Sequence, residues 1–197
     1  MMSVFAVLLL AVSGAHGDVV ITEMMYNPDG PTLGPDSLYE WVEICNLTDG
    51  PVQLGGMILS DRGNGLVLDA YELAPGVRAV IPAHMESFVS AYGDDIPVVS
   101  WTGEWPGLSN SSDIITLSDR YGMVLDMVPY TDQWGITEGR RRSAADGTGS
   151  SLEKIDIRGP NEAFNWAASV DYDCPRRDPD TGEDKCWGTP GAVNSVE

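Results

Sequence analysis

Short runs of strand-forming residues, cut at close intervals by Gly, Pro, Asn and Asp, constrain this chain more than any other feature. "DVVITEMMY" (18–26) stops at Asn27-Pro28-Asp29-Gly30, a strong turn sequence. "GPTLGPDS" reads as a loop, and "YEWVEICN" follows it with period-two alternation. That alternation places Val42 and Ile44 on one face and Trp41, Glu43 and Cys45 on the other. "VQL" and "MILSD" are parted by Gly55-Gly56, and "VRAVI" and "IPVVSW" are further strands. Between those two, "HMESFVSAY" (84–92) suits one or two helical turns. "DIITLSD" and "GMVLDMVPY" form a hairpin, and "NEAFNWAASV" carries helical spacing near the end. Many short strands divided by turn residues predict an all-β sandwich.

One echo runs through the chain. "LSDRGNGLVLD" begins at Leu59 and "LSDRYGMVLD" at Leu117, each a strand, a Ser-Asp-Arg turn with Gly, and a returning strand. Two hairpins built on similar turn chemistry account for it. Repeat architectures need three or more copies at a fixed period, so solenoids and propellers are excluded.

The N-terminus and the charge point outside the cell. "MMSVFAVLLLAVSGAHG" holds an apolar run from Val4 to Val12, with small Ala15 and Gly17 at the −3 and −1 positions of a cleavage before Asp18. The run is shorter than the roughly 20 apolar residues that span a bilayer, and it reads as a signal peptide over 1–17. No Lys or Arg precedes it, so the α-amino group supplies the positive end. Residues 18–197 are then expected to be one exported, soluble domain, and 43% hydrophobic residues suffice for a core. Thirty acids against 11 bases leave −19, a balance that opposes phosphate backbones and argues against nucleic-acid binding. The expected partner is a protein or a cell-surface polymer. Arg140-Arg141-Arg142 is the basic cluster, and Glu138 and Asp146 beside it make it a solvated loop.

Cysteine usage agrees with export. Cys174 and Cys186 are placed to close a short disulfide loop over about 173–187, worth roughly 3 kcal/mol in the chain-entropy account. Cys45 is left over and is expected as a small buried hydrophobe. Inside the cysteine loop Asp178, Asp180 and Asp184 stand at the spacing of positions 1, 3 and 7 of a calcium loop. Gly182 falls at position 5 rather than 6, and Thr189 takes the place of the bidentate Glu at position 12. Arg176, Arg177 and Lys185 also offset most of the charge of Asp178, Asp180, Glu183 and Asp184. A self-neutralised disulfide loop is the preferred reading. Weak calcium binding at Asp178, Asp180 and Asp184 is the alternative; no other cofactor is expected.

Catalytic constellations are sparse. His84 is the one histidine past residue 17, and "GTGSS" lacks the spacing of a nucleophile elbow. A turn histidine is therefore expected ahead of a triad member, and one His with one unpaired Cys falls short of a zinc site. Glu40 and Glu43 are an odd number apart on a strand, so they point to opposite faces and do not flank one substrate. Glu23, Glu43, Asn27 and Asn46 are expected to hydrogen-bond turn backbones at the end of the sandwich. Trp41 and Trp166 suit the core. Trp101, Trp105 and Trp134 lie near Gly or Pro, and packing under loops is preferred there to a sugar-stacking platform. Asn46-Leu47-Thr48 and Asn110-Ser111-Ser112 fit the glycosylation pattern.

Several pieces, taken in order, resemble the lamin-tail domain family in its bacterial secreted form. "VVITEMMYNP" resembles the family's first strand and "YEWVEICN" its second. "WPGLSNSSDIITLSDRYGMVLDMVPY" resembles its Leu-Ser-Asn hairpin, and "GSSLEKID", "NWAAS" and "GTPGAVN" resemble its tail. The resemblance implies an immunoglobulin-like β-sandwich, no enzymatic activity, and an accessory role in binding or tethering at a cell surface or in the extracellular matrix. The nuclear roles of lamins do not transfer, because this chain has neither heptads nor a nuclear-localisation cluster. A small secreted hydrolase and a calcium-stabilised adhesion module are the alternatives.

Overall fold

The computed structural model describes residues 19–170 and 188–197. Cys174, Cys186, Asp178, Asp180 and Asp184, and the 1–17 segment, lie outside the described residues. In chain order the elements are β1 (Val19–Met25), α1 (Gly30–Leu33), α2 (Asp36–Tyr39), β2 (Trp41–Asn46), β3 (Val52–Gln53), β4 (Ile58–Ser60), β5 (Gly65–Leu68), β6 (Glu72–Leu73) and β7 (Arg78–Pro82). There follow α3 (Met85–Tyr92), β8 (Trp101–Gly103), β9 (Ile115–Ser118), β10 (Val124–Val128), β11 (Leu152–Lys154), a 3-10 turn (Ala163–Asn165) and β12 (Trp166–Ala168).

Two antiparallel five-stranded sheets face each other, one ordered β12-β11-β1-β2-β7 and the other β10-β9-β4-β5-β8. Between them Val19, Ile21, Met24, Val42 and Ile44 of the first sheet meet Leu59, Leu66, Ile115, Leu117 and Val128 of the second. The expected sandwich is present. The two echoed hairpins are β4-β5 and β9-β10, and they lie side by side, with Ile58 paired to Ser118.

The first sheet is also covered on its outer face, which explains why β1 and β2 are buried at every residue. Trp41, Met25 and Val80 on that face pack against Phe88, Ala91 and Tyr92 of α3. The Trp41 ring meets Phe88 and Tyr92 edge-on, with centroids 6.1 and 5.8 Å apart. The alternation in "YEWVEICN" thus separates two buried layers rather than a core from solvent.

Three local expectations are corrected. "GPTLGPDS" forms the one-turn helices α1 and α2, with Pro31 in the first turn of α1, where its missing N–H costs no hydrogen bond. "IPVVSW" is not a continuous strand: Val98 makes an isolated parallel bridge to Val80, and regular pairing begins at Trp101. "NEAFNWAASV" is a 3-10 turn and then a strand. The side chain of Asn165 accepts from the N–H of Asp156 (2.9 Å) and donates to the carbonyls of Asp156 and Pro160 (2.9 and 3.0 Å). Those bonds hold a tight turn in place of a helix, and the next residue, Trp166, enters the core.

Candidate functional site

The acid chemistry of the chain converges on the outer face of the first sheet, and a backbone irregularity puts it there. Within β1 the register slips between Ile21 and Glu23, so that Ile21 pairs with Ile44 and Glu23 with Glu43. Without the extra residue Glu23 would share the inward face with Ile21, and Met24 would turn outward. The bulge turns it outward, and beside it Asp126 Oδ2 on β10 accepts the Ile21 N–H at 2.8 Å. Glu153 pairs with Glu23 from the other side, so Glu153, Glu23 and Glu43 stand abreast on β11, β1 and β2. All are fully buried. Like charges facing each other across strands are destabilising, and such a row needs partners.

The closing segment supplies them. The N–H of Thr189 donates to Glu23 Oε1 at 3.0 Å, and its hydroxyl lies 3.2 Å from Glu23 Oε2 and 3.1 Å from Glu153 Oε1. Ser195 Oγ donates to Glu153 Oε2 (2.7 Å), and the N–H of Gly191 donates to Glu43 Oε2 (2.6 Å). Glu43 Oε1 accepts from Thr22 Oγ1 at 2.6 Å, with Arg78 Nε 3.5 Å away, and Arg78 in turn pairs with Glu197. Asn194 Nδ2 donates to the carbonyls of Thr22 (2.8 Å) and Lys154 (2.9 Å), stitching the segment to β1 and β11. Gly188 passes so close that an added Cβ would lie 2.7 Å from Glu23 Oε1.

Burial governs the protonation of this row. It pushes Glu23 well above the usual carboxylate range, and the charges of Glu43 and Glu153 push the same way. Burial likewise raises Glu43 to about 8, against the hydrogen bonds of Thr22 and Gly191 and the Arg78 charge. A proton therefore resides in the row at neutral pH. Its oxygens face the chain's own C-terminal backbone, and the arrangement acts as a clamp on that segment. Among the described residues no group of three or more His, Cys, Asp and Glu is placed to hold a metal ion.

With this geometry in view, the sequence over residues 13–132 matches the family model of the Lamin Tail Domain. The chain belongs to the lamin tail domain family. Lamin tail domains are immunoglobulin-like structural modules, in keeping with the sandwich described above. None of the curated proteins matches the chain. The family match ends before β11, β12 and the closing segment, yet those parts complete the first sheet of this lamin tail domain and hold its glutamate row.

The other sequence candidates are dispersed over the domain. His84 is exposed and caps α3: its Nδ1 accepts the N–H of Ser87 at 3.3 Å and lies 2.9 Å from the Ser87 hydroxyl. Glu40, on the other side of β2 from Glu43, accepts from Trp105 Nε1 (2.6 Å) and the N–H of Leu108 (3.0 Å), and burial raises its pKa. Asn46 bridges the carbonyls of Gly50 and Leu73 and accepts from the N–H of Thr48, the turn-bonding role expected of it. Asn27 donates to Asp146 Oδ1 at 2.8 Å, and its carbonyl takes the N–H of Gly147. Cys45 is a buried free thiol, whose pKa burial raises. Trp41 and Trp166 are core residues as expected; Trp134 is also buried, its ring 6.2 Å from that of Trp166. Trp101 and Trp105 are half-buried neighbours with their indole N–H groups bonded to Pro82 and Glu40, so they pack under loops. Arg140, Arg141 and Arg142 are exposed on the loop after β10.

Glu153, Thr189 and Asn194 are functional parts of the clamp that strand-by-strand reading did not single out. Their signal was present in "GSSLEKID" and "GTPGAVN", but register alone shows that Glu153 faces Glu23.

Proposed function

We propose that this chain is a secreted, non-enzymatic lamin tail domain that binds or tethers a protein or a cell-surface polymer outside the cell. Residues 1–17 serve as its signal peptide and 18–197 as its exported domain. The observation that supports the reading is that the side chains weighed for catalysis, His84, Glu40 and Glu43, are engaged in holding the fold. His84 caps a helix, Glu40 pins the Trp105 loop, and Glu23 and Glu43 clamp the closing segment. The acidic balance of −19 and a Cys174–Cys186 bridge suit a soluble protein in an oxidising compartment. Among the described residues no helix is long and apolar enough to cross a membrane.

The test is capture of the mature protein on cell-surface material, with His84→Ala as a parallel sample. Retention of both proteins, with no hydrolysis of esters, glycans or phosphodiesters, is the expected result. Hydrolysis that disappears in His84→Ala would overturn the reading in favour of a small hydrolase.

A further inference from the structure

The loop that follows β10 encloses a cleft of about 640 Å³ whose lining joins Arg140, Arg141 and Arg142 to Ser143, Thr148 and Ser150. A volume in this range suits a small-molecule site. Gly135, Ala168 and Val170 supply an apolar side. The approach of Gly135 to β12 forms that side: its φ is +72°, and a Cβ there would lie 2.6 Å from the Ala168 nitrogen. The loop is tied down at its base, where Asp146 and Gly147 bond to Asn27 and the Thr148 hydroxyl donates to the Ala144 carbonyl at 2.6 Å.

Two independent features of the cleft ask for the same ligand. The three consecutive guanidinium groups form no ion pair with a described residue, and Glu138 and Asp146 are absent from the lining. Ser150 is 1% exposed, and its hydroxyl oxygen has no hydrogen-bond partner although it is buried in the wall of the cleft. An unpartnered buried hydroxyl destabilises the site it sits in, a cost removed when a ligand oxygen accepts its proton. Guanidinium forks match the oxygens of phosphate and sulfate.

The geometry points to a binding site for a compact sulfate or phosphate monoester, its oxyanion held by the arginine run and Ser150 and its carbon body on the Gly135, Ala168 and Val170 side. The net charge of −19 selects the compact ester over an extended polyanion. Long stretches of such a polymer would lie over acidic surface, whereas a single ester group meets the arginines within about one Debye length, ~8 Å. This inference rests on the binding-module reading and names the chemical group that the module takes.

Isothermal titration of the mature protein with glucose 6-phosphate and glucose 6-sulfate, against glucose and inorganic phosphate, tests it. Both esters are expected to bind and glucose is not. Substituting Arg140, Arg141 and Arg142 together by Gln is expected to weaken the esters by more than about tenfold, as loss of charge-assisted bonds requires. Ser150→Ala is expected to weaken them several-fold without lowering the melting temperature, because the hydroxyl has no partner to lose and its unpaired burial is relieved. A glycan bearing the same ester at its end serves as a second arm: equal affinity assigns the site to the ester itself, and tighter binding assigns it to a decorated surface glycan. Absence of ester binding, or affinities indifferent to either variant, overturns the inference. Capture on cell-surface material without ester binding would sink the inference and leave the binding-module reading standing.

Discussion

Glu43 makes the stability of this lamin tail domain depend on pH in a direction opposite to that of most salt-bridged carboxylates. Its pKa is held at about 8 in the fold, against 4.5 for the free side chain, chiefly by burial. A raised carboxyl contributes stability that is fully present below 4.5 and lost as the pH climbs through about 8. Between pH 6 and 8 the folded chain keeps a proton that the unfolded chain has released. Integrated over that interval, the linkage amounts to about 2 kcal/mol. With a urea dependence of about 2 kcal/mol per molar, the unfolding midpoint falls by about 1 M. Glu23 is raised as well and acts in the same direction, whereas burial lowers Lys154 and its titration acts in the opposite one. The decisive quantity is therefore the difference between the parent and Glu43→Gln. Glutamine keeps the shape: its oxygen can accept the Gly191 N–H while its amide faces Thr22, whose hydroxyl can accept. Urea melts of both proteins at pH 6 and 8 are expected to show a fall in the parent that shrinks by about 2 kcal/mol in the variant. An equal pH slope in the two proteins would refute the assignment of a buried proton to Glu43.

Asn194→Ala removes the two side-chain hydrogen bonds that the closing segment gives to the buried carbonyls of Thr22 on β1 and Lys154 on β11. The expected loss is about 2–4 kcal/mol by urea denaturation, with faster carboxypeptidase trimming; a loss below about 0.5 kcal/mol would mean that the clamp does not depend on this residue. The proposed Cys174–Cys186 bridge predicts that only Cys45 is alkylated when the denatured, non-reduced protein is analysed by mass spectrometry, and three labelled thiols would exclude it. If Asp178, Asp180 and Asp184 bind calcium, millimolar calcium raises the melting temperature and Asp180→Asn abolishes the rise. Identical melting with calcium and with chelator would remove that alternative.

The sandwich was legible because alternation and turn residues are local signals. "YEWVEICN" showed its two faces, and the repeated Ser-Asp-Arg turns showed two hairpins. What the alternation did not show was that neither face meets solvent, because α3 covers Trp41 and the closing segment covers Glu43. The candidate site was less legible still. Glu23 faces outward only by virtue of a bulge that the sequence does not announce, and its neighbour Glu153 lies far along the chain. The local failure at "NEAFNWAASV" has a similar cause: one side chain, Asn165, outweighs the helical spacing around it.

The clamp also bears on the order in which the chain acquires its shape. Thr189 reaches Glu23 across 166 positions, and β1, in the middle of its sheet, takes β11 as one neighbour. Contacts of such long sequence separation form slowly, since the loop between them must close before they are made. The polar face of the central strand of the first sheet is thus covered only once Thr189, 166 positions along the chain from Glu23, has reached it.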